Sequence, residues 1–379
     1  MDGTMGQGAP RAPQQVVLVL QGGGALGAYQ AGVFEALHEA GVEPDWVIGT
    51  SIGAINAGII AGNTAEDRLP RLREFWARVA HHPLVEAWTA LPGFGGVVPR
   101  CATLASGVTG FFRPNPAAFL GWQVPLTAER AGYYSTAPLA ATLAGLIDPA
   151  RLNAGAPRLT VGAANVRTGE MRYFDSRGTP LGLPHILASG ALPPAFPAVR
   201  IEGELWWDGG ILSNTPVECV FDDQPRRDSL VFAVHIWNPQ GPEPETIAQV
   251  MHRQKDLQYA SRAATHIRRQ QQMHRLRHVI NELSAMLPPA LREEPRARDL
   301  AAYGCPTVMH VVRLLAPGLD NEDHAKDIDF SRAGIRARWE AGLVDTRRAL
   351  EGRPWERLAD PLEGFVLHEL RREAMPVPG

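Results

Sequence analysis

The chain has 379 residues, 45% of them hydrophobic, enough to bury a large core in one large domain or two ordinary ones. A formal net charge of -3 excludes a global basic field of the kind that holds nucleic acid. Only two of its 37 basic side chains are lysines, Lys255 and Lys326, and with abundant Ala, Gly and Pro this bias fits a GC-rich bacterial genome.

The three cysteines, Cys101, Cys219 and Cys305, are far apart and form no CxxC pair, which disfavours a zinc knuckle or a disulfide framework and fits a reducing compartment. Residues 1–15 are polar and rich in Gly and Pro, without a basic stretch followed by an apolar one, and read as a disordered arm. No apolar run reaches the roughly 18 residues of a membrane span. The expected location is cytoplasmic, with peripheral membrane contact allowed.

In chain order, 16–20 is a continuous apolar strand of the kind buried on both faces of a parallel sheet. Gly22-Gly23-Gly24-Ala25-Leu26-Gly27 then opens a helix through Tyr29, Val33, Phe34 and Leu37 that ends near Gly41. A second strand, 46–48, runs into Gly49-Thr50-Ser51-Ile52-Gly53 and a helix of small residues. A Ser between glycines at a strand-to-helix turn has the form of a nucleophile elbow, with the helix N-terminus directed at its hydroxyl. Alone, the motif is also met as a simple helix cap.

Gly22-x-Gly24-x-x-Gly27 with Asp45 about 20 residues on also matches a dinucleotide fingerprint. Amide N–H groups at a glycine-lined helix start serve the oxyanion of an ester intermediate equally well. A ribose-binding acid stands at the end of the second strand, whereas Asp45 precedes that strand and the Ser between glycines occupies its end.

Between 91 and 124 the regular period is lost and Phe94, Phe111, Phe112, Phe119 and Trp122 accumulate, which reads either as a lid over an acyl-chain pocket or as an ordinary packed excursion. Structure resumes with a helix at 138–147 and strands at 159–166 and 171–174. Next comes the block Ala188-Ser189-Gly190-Ala191-Leu192-Pro193-Pro194-Ala195-Phe196-Pro197, then Leu205-Trp206-Trp207-Asp208-Gly209-Gly210. Asp-Gly-Gly is a common turn, yet Asp208 ends an aromatic strand, so its carboxylate can be held partly desolvated within reach of Ser51 as a general base.

Beyond 220 the pattern remains α/β, with strands at 230–237 and 307–315 and a long helical segment between them. Leu257, Ala260, Ala264, Ile267, Leu276, Ile280, Leu283 and Leu287 recur at helical spacing there, and the stretch 253–287 is rich in Arg. That basic face reads as solvated surface or as a dock for an anionic membrane. A last helix starts at Ser331.

Four of these motifs, in order, resemble the patatin-like phospholipases, acyl hydrolases that use a Ser-Asp dyad without histidine: the Gly22 loop, the Ser51 elbow, the block at 188–197 and Asp208-Gly209-Gly210. The resemblance covers 16–220. It implies a three-layer α/β/α fold with a mainly parallel central sheet and a catalytic domain over 16–240, while the pattern beyond it reads as a mostly helical elaboration over 241–379 with one strand joining the main sheet, in one large domain. It further implies Ser51 as nucleophile, Asp208 as base and the amides of Gly22, Gly23, Gly24 and Ala25 as oxyanion hole, with Gly49 and Gly53 framing the elbow. One departure is Leu26, where many members carry a basic residue. The expected protein is a serine acyl hydrolase of lipid carboxylic esters, with no metal or other cofactor and no nucleic-acid partner; oligomeric state is not legible. Two alternatives stand beside it: a lipid- or polymer-surface binding protein on the same scaffold, and a Ser-His-Asp esterase using His235.

Overall fold

Val17 and Val19 face one side of strand β1 (Gln15–Leu20) and Leu18 and Leu20 the other, and all four are fully buried. A strand buried on both faces needs a helical layer on each side. The computed structural model describes residues 13–81, 105–121, 124–319, 322, 325–356 and 363–369.

Among them, the further strands are β2 (Trp46–Gly49), β3 (Arg113–Pro114), β4 (Tyr134–Ser135), β5 (Arg158–Asn165), β6 (Met171–Asp175), β7 (Val199–Ile201), β8 (Glu204–Asp208), β9 (Ser229–His235), β10 (Met309–Leu315) and β11 (Phe365–Glu369). The main sheet has the order β11-β10-β9-β1-β2-β5-β8-β7, with β6 also on β5; β3 and β4 form a separate ribbon. Pairing is parallel from β11 through β5 and antiparallel where β6, β7 and β8 join. Helices α1 (Ala28–Glu39), α2 (Ile52–Ala61), α3 (Ala65–Val79), α4 (Ala137–Ala144) and α5 (Leu183–Ser189) contribute to the core on the Leu18 face, while Ile267 of the long helix α6 (Ile247–Met286) packs on the Val17 face. The fold is therefore a three-layer α/β/α arrangement around a mainly parallel sheet.

The expected strands lie close to their predicted bounds, and two differences have local causes. The strand expected to reach Trp237 ends at His235, because the N–H groups of Ile236 and Trp237 leave the ladder to donate to Gln21 Oε1. Past the single C-terminal strand expected in the sheet, β10, a second, β11, pairs parallel to it. The last helix, α7 (Arg332–Gly352), crosses α1 where two glycines face each other's backbone. A Cβ on Gly32 would lie 1.9 Å from the Trp339 carbonyl oxygen, and one on Gly342 would lie 2.1 Å from that of Tyr29.

The helical spacing over 253–287 corresponds to α6, but only part of its expected apolar stripe, Ala260 and Ile267, turns inward. Leu257, Leu276 and Leu283 are 46%, 58% and 59% exposed, whereas Asp256, Ala260, Ile267, His274 and His278 form the buried face. The two imidazoles tolerate burial because each donates Nε2–H to the Thr307 carbonyl, at 3.0 and 2.9 Å. Of the basic residues expected on one face, Lys255 is paired with Asp327, and Arg253 donates to the Pro239 carbonyl. Arg268, Arg269 and Arg275 are exposed, and the side chain of Arg262 lies outside the described residues. No helix among the described residues is long and apolar enough to cross a membrane.

Candidate active site

Strand β2 stops pairing at Gly49, opposite Val161 of β5, and the chain turns directly into α2. Ser51 at the turn has φ 57 and ψ -126, a conformation that costs a non-glycine residue roughly 1–3 kcal/mol and persists only where its surroundings hold it. They do so here: the Ser51 N–H donates to Ser189, with both its hydroxyl and carbonyl oxygens at 3.1 Å. The flanking glycines are sterically required, since a Cβ on Gly49 would sit 2.3 Å from the Gly53 carbonyl and one on Gly53 2.2 Å from that of Leu20. The turn has the strained geometry of a nucleophile elbow.

The edge of β5 that β2 leaves free is taken by β8. Because β6 occupies the opposite edge over Thr160–Ala164, β8 must follow β2 on the same side, and it runs antiparallel so that its last residue, Asp208, pairs with Ala163. This places Asp208 beside the elbow. It is 1% exposed, Oδ1 accepts from the Gly210 N–H at 2.7 Å, and it lines the same cavity as Ser51. Burial pushes its pKa up to about 7, outweighing the lowering effect of the Gly210 N–H and of nearby Ser51.

Gly22, Gly23 and Gly24 line the same cavity as Ser51 and Asp208, a space of about 210 Å³. The Gly22 N–H is committed to the Asn214 carbonyl at 3.1 Å, so of the predicted oxyanion donors it is not free to bind an oxyanion. Ala25 is fully buried and does not line the cavity. The rest of the wall is largely apolar: Ile52, Ile55, Leu192 and a cluster of rings in which Phe111 lies 5.5 Å from Phe330 and Phe112 5.5 Å from Phe196. Phe111 and Phe112 come from the expected lid; residues 91–104 and 122–123 of that segment lie outside the described residues.

Other candidates lie elsewhere. His235 alternates with Val234 along β9 and so faces the side of Val231 and Ala233; it does not line the cavity, and burial takes its pKa down to about 3. No histidine is among the described residues lining the cavity. Asp45 accepts from the Val16 N–H at 2.7 Å, at the opposite end of β1 from the glycine loop, so it cannot serve a ribose there. Leu26 is buried and shares a small crevice with Lys326 and Arg338, both paired there with Glu322.

Several site residues carry no signal in the sequence. Tyr259, Asp327, Ile328 and Phe330 line the cavity from beyond 240, and Trp237 from the end of β9. Ser189 stands inside a recognised block, but its part in holding the elbow depends on a contact 138 positions away.

A family model described as "Patatin-like phospholipase" matches residues 18–220, and a second, described as "Patatin phospholipase", matches 257–362. The chain is similar to "Lysophospholipase nte1" of Aspergillus terreus, 54% identical over 48 residues, which is 13% of this chain and 3% of that protein. It is 43% identical over 63 residues to "Patatin-like phospholipase domain-containing protein 6" of Homo sapiens, covering 17% of this chain and 5% of that one. An uncharacterized NTE family protein of Mycobacterium tuberculosis is 29% identical over 215 residues, 56% of this chain and 29% of the relative. This chain thus matches less than a third of the length of each of these three relatives. Among solved structures, VipD from Legionella pneumophila is similar with a TM-score of 0.38 and 17% identity, over 90% of this chain and 67% of that one. Since the first family model spans more than half of its residues, this chain belongs to the patatin-like phospholipase family.

Proposed function

We propose that the protein is a serine acyl hydrolase that cleaves lipid carboxylic esters through a Ser51–Asp208 dyad. One observation carries this reading: a strained Ser51 and a buried Asp208 carboxylate line one cavity walled by aromatic rings. Ser51 Oγ attacks the ester carbonyl carbon as Asp208 accepts the hydroxyl proton. Glycine-loop amides hold the oxyanion. On collapse the carbon–oxygen bond to the alcohol breaks, and Asp208 returns its proton to the leaving oxygen. Water, deprotonated by Asp208, then attacks the acyl-Ser51 carbonyl, the bond to Ser51 breaks, and the serine regains its proton. A base with a pKa of about 7 is matched to this work near neutrality.

Family membership supports the substrate class, and the apolar wall of Phe111, Phe112, Phe196 and Phe330 suits an acyl chain. The exposed Met273, Leu276 and Leu283 of α6, beside the exposed Arg268, Arg269 and Arg275, suit peripheral contact with an anionic membrane. The test is a fluorophosphonate probe followed by intact-mass measurement, run beside product analysis on a mixed lipid extract. A single adduct on the wild type, absent in Ser51→Ala, together with released fatty acid is the expected result. Unlabelled wild-type protein that releases no fatty acid would overturn the proposal.

A further inference from the structure

The amide group that a hydrolase would aim at its oxyanion is held from behind by a residue outside all the sequence motifs. The Gly22 carbonyl accepts from Trp237 Nε1–H at 2.7 Å and from Asn214 Nδ2–H at 3.0 Å. In a trans peptide the carbonyl and the following N–H point in opposite directions, so fixing the Gly22 oxygen on the protein side turns the Gly23 N–H the other way. Among the described residues that N–H donates to no acceptor of the chain, and Gly23 lines the Ser51 cavity.

Trp237 is itself fixed on every side. It is 2% exposed, its backbone N–H donates to Gln21 Oε1 at 3.1 Å, and its ring stacks on Tyr259 with centroids 4.9 Å apart. Lys326 Nζ lies 5.4 Å from the ring centroid. Lys326 is placed by a reciprocal exchange between two Lys-Asp dipeptides. Lys255 Nζ is 2.8 Å from Asp327 Oδ1, and Lys326 Nζ is 2.7 Å from Asp256 Oδ1, so both lysines of the chain serve one clasp. The clasped turn lies on the oxyanion loop: the Asp327 carbonyl oxygen is 2.2 Å from where a Cβ on Gly24 would stand.

We propose that Trp237 is a positioning residue of the oxyanion hole, its indole N–H presetting the Gly23 amide toward the carbonyl oxygen of the ester, and that the Lys-Asp clasp holds the indole in place. The proposal rests on the hydrolase reading. Preorganised donors act on the transition state and not on the ground state, so their loss falls on kcat and leaves KM nearly unchanged.

The test is Trp237→Phe, which keeps an aromatic ring against Tyr259 and removes the N–H. The benzothienyl analogue of tryptophan at position 237, which replaces the N–H by sulfur at constant shape, serves should the Phe variant fail to fold. Each is assayed on a nitrophenyl ester. Each is also titrated with a trifluoromethyl ketone, whose adduct with Ser51 carries an oxyanion, and with the matching secondary alcohol, which carries none. Expected are a fall in kcat of about 10-fold or more with KM within about threefold, a parallel loss of ketone affinity, and unchanged alcohol affinity. A folded variant with wild-type kcat and ketone affinity overturns the role of Trp237 and leaves the hydrolase intact. A wild type that neither cleaves the ester nor binds the ketone overturns the hydrolase reading, and this one with it.

Discussion

Asp208 pairs with Ala163 on the stretch of β5 that β2 gives up after Gly49, so the departure of one strand into the elbow creates the seat for the proposed base. The carboxylate is buried because its strand fills the gap, and that burial raises its pKa to about 7. A base works when deprotonated, so kcat/KM should rise with pH through about 7 and level off above it. Asp208→Asn should lower kcat by a factor on the order of 10² or more on the plateau above about pH 7, with the gap narrowing toward about pH 5 as the wild-type base is protonated. Stopped-flow or steady-state ester hydrolysis from pH 5 to 9 checks both; a flat profile would remove Asp208 as the base.

The same burial carries a stability signature. With its native pKa above the unfolded value near 3.8, Asp208 favours the fold while protonated, below about pH 4, and that contribution is lost as pH rises to about 7. The full loss is on the order of 4 kcal/mol. Asp208→Asn should therefore unfold at higher denaturant than the wild type at pH 8, with the gap closing toward pH 4. Urea midpoints at the two pH values measure it.

His235 makes the opposite prediction. Its native pKa of about 3 lies below the usual 6.5, so the neutral ring favours the fold at neutral pH and that support is lost as pH falls from about 6.5 toward 3. His235→Leu should blunt this acid sensitivity and leave ester hydrolysis within about threefold of wild type. A loss of activity as deep as that of Asp208→Asn would revive a histidine triad.

Asp256 and Lys326 are 7% and 6% exposed in their side chains, so breaking their pair strands a buried charge. Lys326→Met alone should cost about 3–5 kcal/mol, whereas Asp256→Leu/Lys326→Met should recover most of it. Chemical denaturation of the two variants decides the matter, and equal losses would mean that the partners act independently.

If the exposed Met273, Leu276 and Leu283 meet a membrane through flanking arginines, association with anionic vesicles should weaken between about 0.05 and 0.5 M salt, because exposed charge is screened. Arg268→Glu/Arg269→Glu/Arg275→Glu should abolish it. Sedimentation with anionic and neutral vesicles reads this directly, and equal binding to both would count against the basic face.

The parts of the site that sequence makes legible are those where backbone geometry restricts residue type. Gly49 and Gly53 must lack side chains for the turn to close, and Asp208-Gly209-Gly210 marks the end of β8, so both leave a pattern. The buried face of α6 is not legible, because periodicity reports that apolar residues align, not which way they turn; His274 and His278 take the inner face only because the Thr307 carbonyl is there to accept from both. Trp237, Tyr259, Ile328 and Phe330 reach the cavity through tertiary packing alone, and no spacing rule connects them to Ser51.

The turn that carries Ile328 and Phe330 supplies cavity wall, yet neither residue belongs to the elbow, the glycine loop or the Asp208 strand. A chain built this way separates what it cuts from how it cuts: under the proposed chemistry, varying those two positions offers a route to retune acyl-length selectivity while the nucleophile and base remain as they are. It also makes the C-terminal part unsuitable for trimming in a minimal enzyme, since removing it would open the substrate chamber and leave the glycine loop without its backing.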